Sequence, residues 1–410
     1  MRILIVNKFL YPNGGSETYI FKIGKQLQQM GHEVQYFGME HEGRVVGNHA
    51  ESYTSDMDFH GTGMQKLLYP FKILYSTEAK RKIRSVLADF QPQVVHLNNI
   101  NCQITPSIID EIRSWDSQIK IVYTAHDYQW ICPNHMMKIP STGELCNRCQ
   151  TGGYGACLRN GCIHNSKVRS FLGMLEAELY RMKRTYQKVD CIICPSEFMN
   201  RQLSQNKQLR GRTLTCHNFL DLSNEVPGDS ASFKLPSAYV LYFGRYDQEK
   251  GIGTLLRVCQ QLPDIQFVFA GKGELEKEVN QVPNIQNVGF RTGVELVHLI
   301  QNAEFVVFPS EWYENCPFSV MEAQMYGVPV LATDLGGTPE LVQDRVTGEL
   351  FRAGDAIQLR EKIHQMWYNR EQRAGYKDAC MKIAAQAQNG NGPFDTLETY
   401  CRKLIGIYEK

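Results

Sequence analysis

The stretch Glu314-Asn-Cys-Pro-Phe-Ser-Val-Met-Glu322-Ala-Gln-Met-Tyr-Gly327-Val-Pro-Val-Leu-Ala-Thr333-Asp-Leu-Gly-Gly337 reads as loop, helix, strand and loop. Pro317 suits the first helical turn, where its missing N–H has no intrahelical acceptor anyway, and Gly327 suits the helix end. Val328 to Ala332 follows as a short apolar strand, so the chain here takes one step of an alternating α/β pattern. Glu314 falls in the entry loop and Glu322 inside the helix, eight residues on, and the two carboxylates bracket unpaired backbone N–H groups. A helix start carries partial positive charge and binds anions, whereas carboxylates accept from donors such as sugar hydroxyls. A nucleotide sugar, with hydroxyls on both sides of a diphosphate, meets both demands.

The same alternation extends in both directions. Ile3 to Val6 is strand-like, Ile20, Ile23 and Leu27 recur at helical spacing, Gly31 stops that helix, and Val34 to Phe37 is extended again. Val94 to Leu97, Ile121 to Thr124, Cys191 to Cys194 and Leu214 to Cys216 are further short apolar runs bounded by Pro, Asn or Asp, as buried parallel strands are. Residues 221–236 turn polar, with Pro227, Gly228 and Pro236, and read as a linker. A second series then begins at Tyr239 to Phe243 and continues through Phe267 to Ala270 and Phe305 to Phe308. The expected fold class is therefore α/β, with two Rossmann-like domains facing each other across a cleft. They cover residues 1–220 and 237–388, and a helix over 389–410 follows the break Asn389-Gly-Asn-Gly-Pro393.

At 410 residues the chain exceeds what one hydrophobic core usually serves, in keeping with two domains. Its 44 basic and 43 acidic residues give a net charge of +1, which offers no global attraction to nucleic acid. The start, Met1-Arg-Ile-Leu-Ile-Val, is too short for a signal sequence and no apolar run reaches membrane-spanning length, so a cytoplasmic protein is expected. In that compartment thirteen cysteines imply free thiols or metal ligands rather than a disulfide framework.

The string Glu314-x7-Glu322, Gly327-Val-Pro-Val330 and Gly336-Gly-Thr-Pro-Glu340 resembles the retaining glycosyltransferases of family GT4, which have the GT-B fold. The resemblance implies that Glu314 and the neighbouring backbone of Asn315, Cys316, Pro317 and Phe318 meet the donor sugar, that Glu322 binds the ribose hydroxyls, and that the last helix crosses back to the N-terminal domain. Asn315-Cys316 stands where many members carry Gly. Phe243-Gly-Arg245-x4-Lys250-Gly251 matches the family's phosphate loop, and Arg with Lys can offset charge growing on a leaving nucleoside diphosphate. Gly271, Lys272 and Gly273 resemble the turn beneath the base, and Asn287 to Phe290 the segment that reads its edge. Gly14 and Gly15, after the first strand, permit close backbone approach to a sugar or phosphate. His126, ending a strand, is expected to hold the donor sugar or its leaving phosphate.

Glu314, Arg245, Lys250 and His126 are thus the expected catalytic set, acting by front-face transfer with no cofactor required. The donor is expected to be UDP- or GDP-linked and the acceptor a glycan or lipid-linked saccharide in cell-surface polysaccharide synthesis. An epimerase or hydrolase of the same fold, or a binding protein without turnover, are the alternatives. The insert 132–164 brings together Cys146-x2-Cys149 and Cys157-x4-Cys162, spacings that a structural zinc site could use. Two basic amphipathic stretches, Lys66 to Leu87 and Lys167 to Lys188, suggest peripheral contact with the inner face of the cytoplasmic membrane.

Overall fold

A computed structural model describes residues 1–55, 74–221, 234–389 and 392–410. Most of the linker, part of the break before the last helix, and Leu67, Leu68, Phe71 and Ile73 of the first basic stretch lie outside the described residues. By its internal contacts the chain divides into two units, Met1–Cys216 with Cys401–Lys410, and His217–Tyr400.

In the first unit, β1 (Arg2–Val6), α1 (Gly15–Gln29), β2 (Glu33–Phe37), α2 (Thr77–Phe90), β3 (Val94–Leu97), α3 (Ser107–Trp115) and β4 (Lys120–Thr124) alternate along the chain. The insert follows with α4 (Gly155–Asn160) and α5 (Lys167–Met182), and then β5 (Cys191–Cys194), α6 (Glu197–Ser204) and β6 (Thr213–Thr215). The sheet order is β2-β1-β3-β4-β5-β6, with every pair parallel. Strand order reverses between β1 and β3, and at such a switch point the loops leaving the strand ends diverge and leave a crevice.

The second unit carries β7 (Phe219–Leu220), β8 (Val240–Phe243), α7 (Ile252–Gln260), β9 (Phe267–Ala270), α8 (Glu276–Val279), β10 (Ile285–Asn287), α9 (Gly293–Gln301), β11 (Phe305–Phe308), α10 (Phe318–Met325) and β12 (Val330–Thr333). It closes with β13 (Gly348–Phe351), α11 (Ala356–Tyr368), α12 (Arg370–Gln388), the two-residue β14 (Asp395–Thr396) and α13 (Leu397–Tyr408). Its parallel sheet runs β10-β9-β8-β11-β12-β13, with the switch point between β8 and β11. Alternate residues of each strand enter opposite cores. Leu241, Phe243, Val306 and Phe308 pack on one face, and Val240, Tyr242, Phe305 and Val307 on the other. Burial on both faces is why these strands are short and wholly apolar in sequence. The two parallel sheets give the α/β class, with two Rossmann-like units, that the sequence implied.

The residues of α13 from Cys401 onward group with the first unit. Tyr408 OH bonds His96 Nδ1 at 2.7 Å, His96 Nε2 meets Thr124 Oγ1 at 2.8 Å, and Tyr19 OH reaches the same hydroxyl at 3.1 Å. This chain of bonds satisfies a fully buried imidazole, so His96 is structural.

Candidate active site

In the second unit the loops leaving β8 and β11 lie on either side of the switch point, and they bring Lys250 to Glu314. Lys250 Nζ is 2.6 Å from Glu314 Oε1, and Ser310 Oγ donates to the same oxygen at 2.8 Å. The Lys250 ammonium also lies 5.3 Å from the centre of the Trp312 ring. Glu314 is buried, which by itself would push its carboxyl up, but the adjacent ammonium and the hydrogen bonds from Lys250 and Ser310 hold it below the ordinary value. Glycines fix this geometry. Gly251 has φ +72°, and a Cβ there would stand 1.9 Å from the carbonyl oxygen of Pro309. Gly336 has φ +68° and backs onto Glu314, whose carbonyl accepts from Gly337 N at 2.7 Å.

Pro317 occupies the position just before α10, with extended backbone, and Glu322 is half-buried in the helix. The Cys316 side chain does not line a donor pocket. It is buried in the core with Sγ 3.5 Å from Met321 Sδ and 3.3 Å from Asn218 N, while Asn218 Nδ2 donates to its carbonyl at 2.9 Å. Cys316 thus anchors the helix entry, and only its backbone is available for the role the resemblance implied. Phe318 packs edge-on against Phe219, with ring centres 6.0 Å apart. His217 meets Glu340 at 3.0 Å, which ties the Gly-Gly-Thr-Pro-Glu loop to the segment before β7.

Arg245 pairs with Asp247 at 2.6 Å and remains largely exposed, whereas the Lys250–Glu314 pair is mostly buried. The glycine turn after β9 also has a different cause from the one expected. A Cβ at Gly271 would stand 1.9 Å from Gly244 O, and one at Gly273 would stand 2.7 Å from Tyr246 N. Both glycines let this turn pack on the loop that carries Arg245, rather than clearing space for a base. Lys272 lies 5.3 Å from the centre of the exposed Phe290 ring.

In the first unit, Gly14 is extended and neither it nor Gly15 has positive φ, so turn strain does not explain the pair. A Cβ on Gly15 would meet nothing within 4 Å, which leaves the start of α1 open to an approaching group. Behind it, buried Glu17 Oε1 accepts from Asn7 Nδ2 and Ser16 Oγ, each at 2.9 Å. Asn99 N donates to Asn7 Oδ1 at 3.1 Å, and His126 Nε2 lies 2.8 Å from Asn98 Oδ1. Asn7, Glu17, Asn98 and Asn99 were not singled out from sequence. The signal was present as Asn directly after the β1 and β3 runs, at the carboxyl ends where open sheets bind ligands.

Residues 13–224 match the family model described as Glycosyltransferase Family 4, and residues 229–382 match the one described as Glycosyl transferases group 1. The chain is a family 4 glycosyltransferase. An uncharacterised glycosyltransferase of Methanocaldococcus jannaschii is 26% identical over 235 residues, covering 54% of this chain and 64% of that one. A sulfoquinovosyl transferase of Arabidopsis thaliana is 33% identical over 141 residues, 33% of this chain and 27% of that protein. The matches thus span less than two thirds of these relatives' own length. Among solved structures, a sucrose-phosphate synthase of Thermosynechococcus elongatus aligns with TM-score 0.70 at 17% identity, over 100% of this chain and 98% of that one. HepE of Anabaena, solved in complex with UDP-glucose, aligns with TM-score 0.66 at 16% identity, over 100% and 99%.

Elsewhere in the glycosyltransferase, Cys146, Cys149, Cys157 and Cys162 line one small cavity together with Cys132. Burial pushes the thiols of Cys149 and Cys132 up, to about 11 and about 12. Cys132 Sγ donates to Asn134 Oδ1 at 2.8 Å and Cys157 Sγ to Ser170 O at 3.9 Å. Among the described residues no three His, Cys, Asp or Glu side chains are gathered as ligands of one ion. Cys149, Cys157 and Cys162 pack together with Tyr154 and Ala156. Several cations of the two basic stretches are paired with acids. Lys80 and Arg84 pair with Glu111, Lys183 and Lys188 pair with Asp110, and Arg181 pairs with Glu178. Among the described residues no helix is long and apolar enough to cross a membrane.

Burial lowers His96 to about 3 and His126 to about 4. The unfolded chain binds protons on both below about pH 6.5 while the folded chain resists them, so stability falls as pH drops from there toward 4. Glu176 opposes this. Burial raises its carboxyl to about 7, so the folded state keeps a proton that the unfolded state releases, and stability falls as pH rises through that range. Two imidazoles outweigh one carboxyl, and between pH 6 and 4.5 the net loss on acidification should be about 1 kcal/mol per pH unit. Thermal melting across that range checks the slope, and His96→Asn should flatten it.

Proposed function

We propose that this glycosyltransferase moves a sugar, with retention at the anomeric carbon, from a UDP- or GDP-linked donor to a glycan or lipid-linked saccharide acceptor in cell-surface polysaccharide synthesis. The observation that carries this reading is the buried Lys250–Glu314–Ser310 cluster at the switch point of the second sheet. A cation there can neutralise charge developing on the departing diphosphate, and a carboxylate there can accept from sugar hydroxyls. No separate nucleophile stands in the expected set. Glu314 is already held by Lys250 and Ser310, so front-face attack, in which the leaving phosphate helps to deprotonate the acceptor, fits better than a covalent intermediate.

The test is nucleoside diphosphate release from a donor panel, with and without glycan acceptors, followed by linkage analysis of the product. Acceptor-dependent release with a retained anomer is expected, and chelator should leave turnover intact. Inversion at the anomeric carbon would refute front-face transfer. Release that ignores every acceptor would favour a hydrolase, and binding without release a carrier of nucleotide sugars. Arg245→Ala should lower turnover while leaving the melting temperature unchanged, because its side chain is largely exposed and pairs with Asp247, a neighbour in its own loop.

For the insert we propose a structural zinc on Cys146, Cys149, Cys157 and Cys162, reached by turning these side chains toward the cavity they share. Four thiols in a segment short of regular structure are the donor chemistry that zinc selects. Metal analysis should find one equivalent, and less than a tenth would end the proposal.

A further inference from the structure

In the second unit a cavity of about 650 Å³ opens at the amino ends of the strands, opposite the edge that carries Lys250 and Glu314. It is lined by Ser237 ahead of β8, Glu304 directly ahead of β11, Trp367 near the end of α11, and Arg370, Arg373 and Lys377 along α12. Small-molecule sites occupy about 300–1,000 Å³, so the space suits a metabolite. The cluster at the opposite edge makes no use of it.

Three cations meet one acid there. Arg373 is only 7% exposed, with Nε 3.0 Å from Glu304 Oε2 and Nη1 donating to the carbonyls of Met366 and Trp367. Its other amino group, Nη2, has no acceptor among the described residues, which leaves two donors for an occupant of the cavity. Arg370 and Lys377 have no ion pair among the described residues, and their spacing of seven puts them on one face of α12. Arg370 also opens that helix, where the backbone already carries partial positive charge and a cation is repelled. A bound anion would turn that repulsion into attraction.

The acid narrows the choice of anion. Glu304 Oε1 accepts from no described residue, and a carboxylate repels a phosphate but takes a hydroxyl. Trp367 packs against the core and also lines the cavity, so it offers an occupant a flat apolar surface. An occupant with a phosphate, hydroxyls and a ring answers all three features.

We propose that this cavity is a second ligand site, for a phosphorylated sugar, with the phosphate on Arg370, Lys377 and the Arg373 amino group, a sugar hydroxyl on Glu304 and the ring against Trp367. Arginine holds phosphate through paired donors and lysine as a point charge, so the two types together fix and neutralise it. A free sugar phosphate and a nucleotide sugar carry the same chemistry, and both serve as probes.

Calorimetric titration of the full chain with glucose 1-phosphate and with UDP-glucose tests the site. Submillimolar binding is expected, and combining Arg370→Glu with Lys377→Glu should weaken it more than about tenfold, because charge-assisted bonds give way to repulsion. The melting temperature should hold, since neither side chain has an ion pair to lose. If that variant does not fold, Arg370→Gln with Lys377→Gln takes its place. Weakening of glucose 1-phosphate marks a free sugar phosphate as the occupant, and weakening of UDP-glucose alone marks a nucleotide sugar. Wild type that binds neither probe, or a folded variant that binds both as wild type does, would overturn the proposal. Inorganic phosphate should bind more weakly than either probe, and phosphate bound as tightly as both would overturn the assignment to a sugar. Turnover plays no part in these readouts, so the site and the transfer reaction stand or fall separately.

Discussion

Lys250→Ala should lower turnover by about 10²- to 10³-fold, the usual cost of removing one preorganised charge-stabilising group. It should also destabilise the protein by about 3–5 kcal/mol, because it strands a buried carboxylate without its counter-ion. The two effects have separate origins. Ser310 still donates to Glu314 in the variant, but a single hydroxyl cannot replace an ammonium 2.6 Å away. Glu314→Gln should behave differently, losing turnover with a smaller change in stability, since a neutral amide is cheaper to bury beside Lys250 than an ammonium-free carboxylate is. Combining Lys250→Met with Glu314→Gln should recover most of the melting temperature and none of the activity. Steady-state kinetics and calorimetry on the three proteins check this, and a double variant as unstable as Lys250→Ala would show that the pair is not the source of the loss.

Gly251→Ala should cost about 2–5 kcal/mol, combining a left-handed backbone at a non-glycine residue with overpacking of a closed contact. The added methyl would stand 1.9 Å from the Pro309 carbonyl oxygen, which is backbone and cannot rotate aside. One loop or the other must move. Gly251 follows Lys250 and Pro309 precedes Ser310, so the displacement falls on the cluster itself and turnover should drop with stability. Gly15→Ala is the contrasting change, with open space around the new methyl and ordinary φ. It should fold normally and raise KM for the donor if the start of α1 is approached closely. Chemical denaturation and donor kinetics on the two variants separate the cases.

Much of the second unit's site was legible because its residues sit in long ordered strings. The string around Glu314 and Glu322 placed both on one loop-helix element, and Phe243 to Gly251 placed two cations after a strand. Their mutual distances were not legible. Lys250 and Glu314 are 64 positions apart, and the sequence placed them at different parts of the ligand, whereas they form one ion pair. Only the strand order, with β8 beside β11, shows that the two loops must meet. Glycines posed a different difficulty. Gly271 and Gly273 read as room for a ligand, yet the space is filled by Gly244 and Tyr246, and a sequence cannot say whether a missing Cβ faces a substrate or the protein's own backbone. The burial of the Cys316 side chain was not legible for a related reason, because position in a motif does not show whether a side chain points outward or into the core. In the first unit, Asn7, Asn98 and Asn99 passed as ordinary turn formers, a role asparagine fills often enough to hide a polar network.

The last helix changes allegiance between Tyr400 and Cys401, which makes the second unit an insertion within the first. During vectorial synthesis, residues 217–400 are all available before residues 401–410 emerge, so the later-made unit can complete its own contacts sooner. The earlier-made one waits with His96 lacking Tyr408 until residues 401–410 have left the ribosome. Maturation of the first unit is therefore coupled to successful translation of the second.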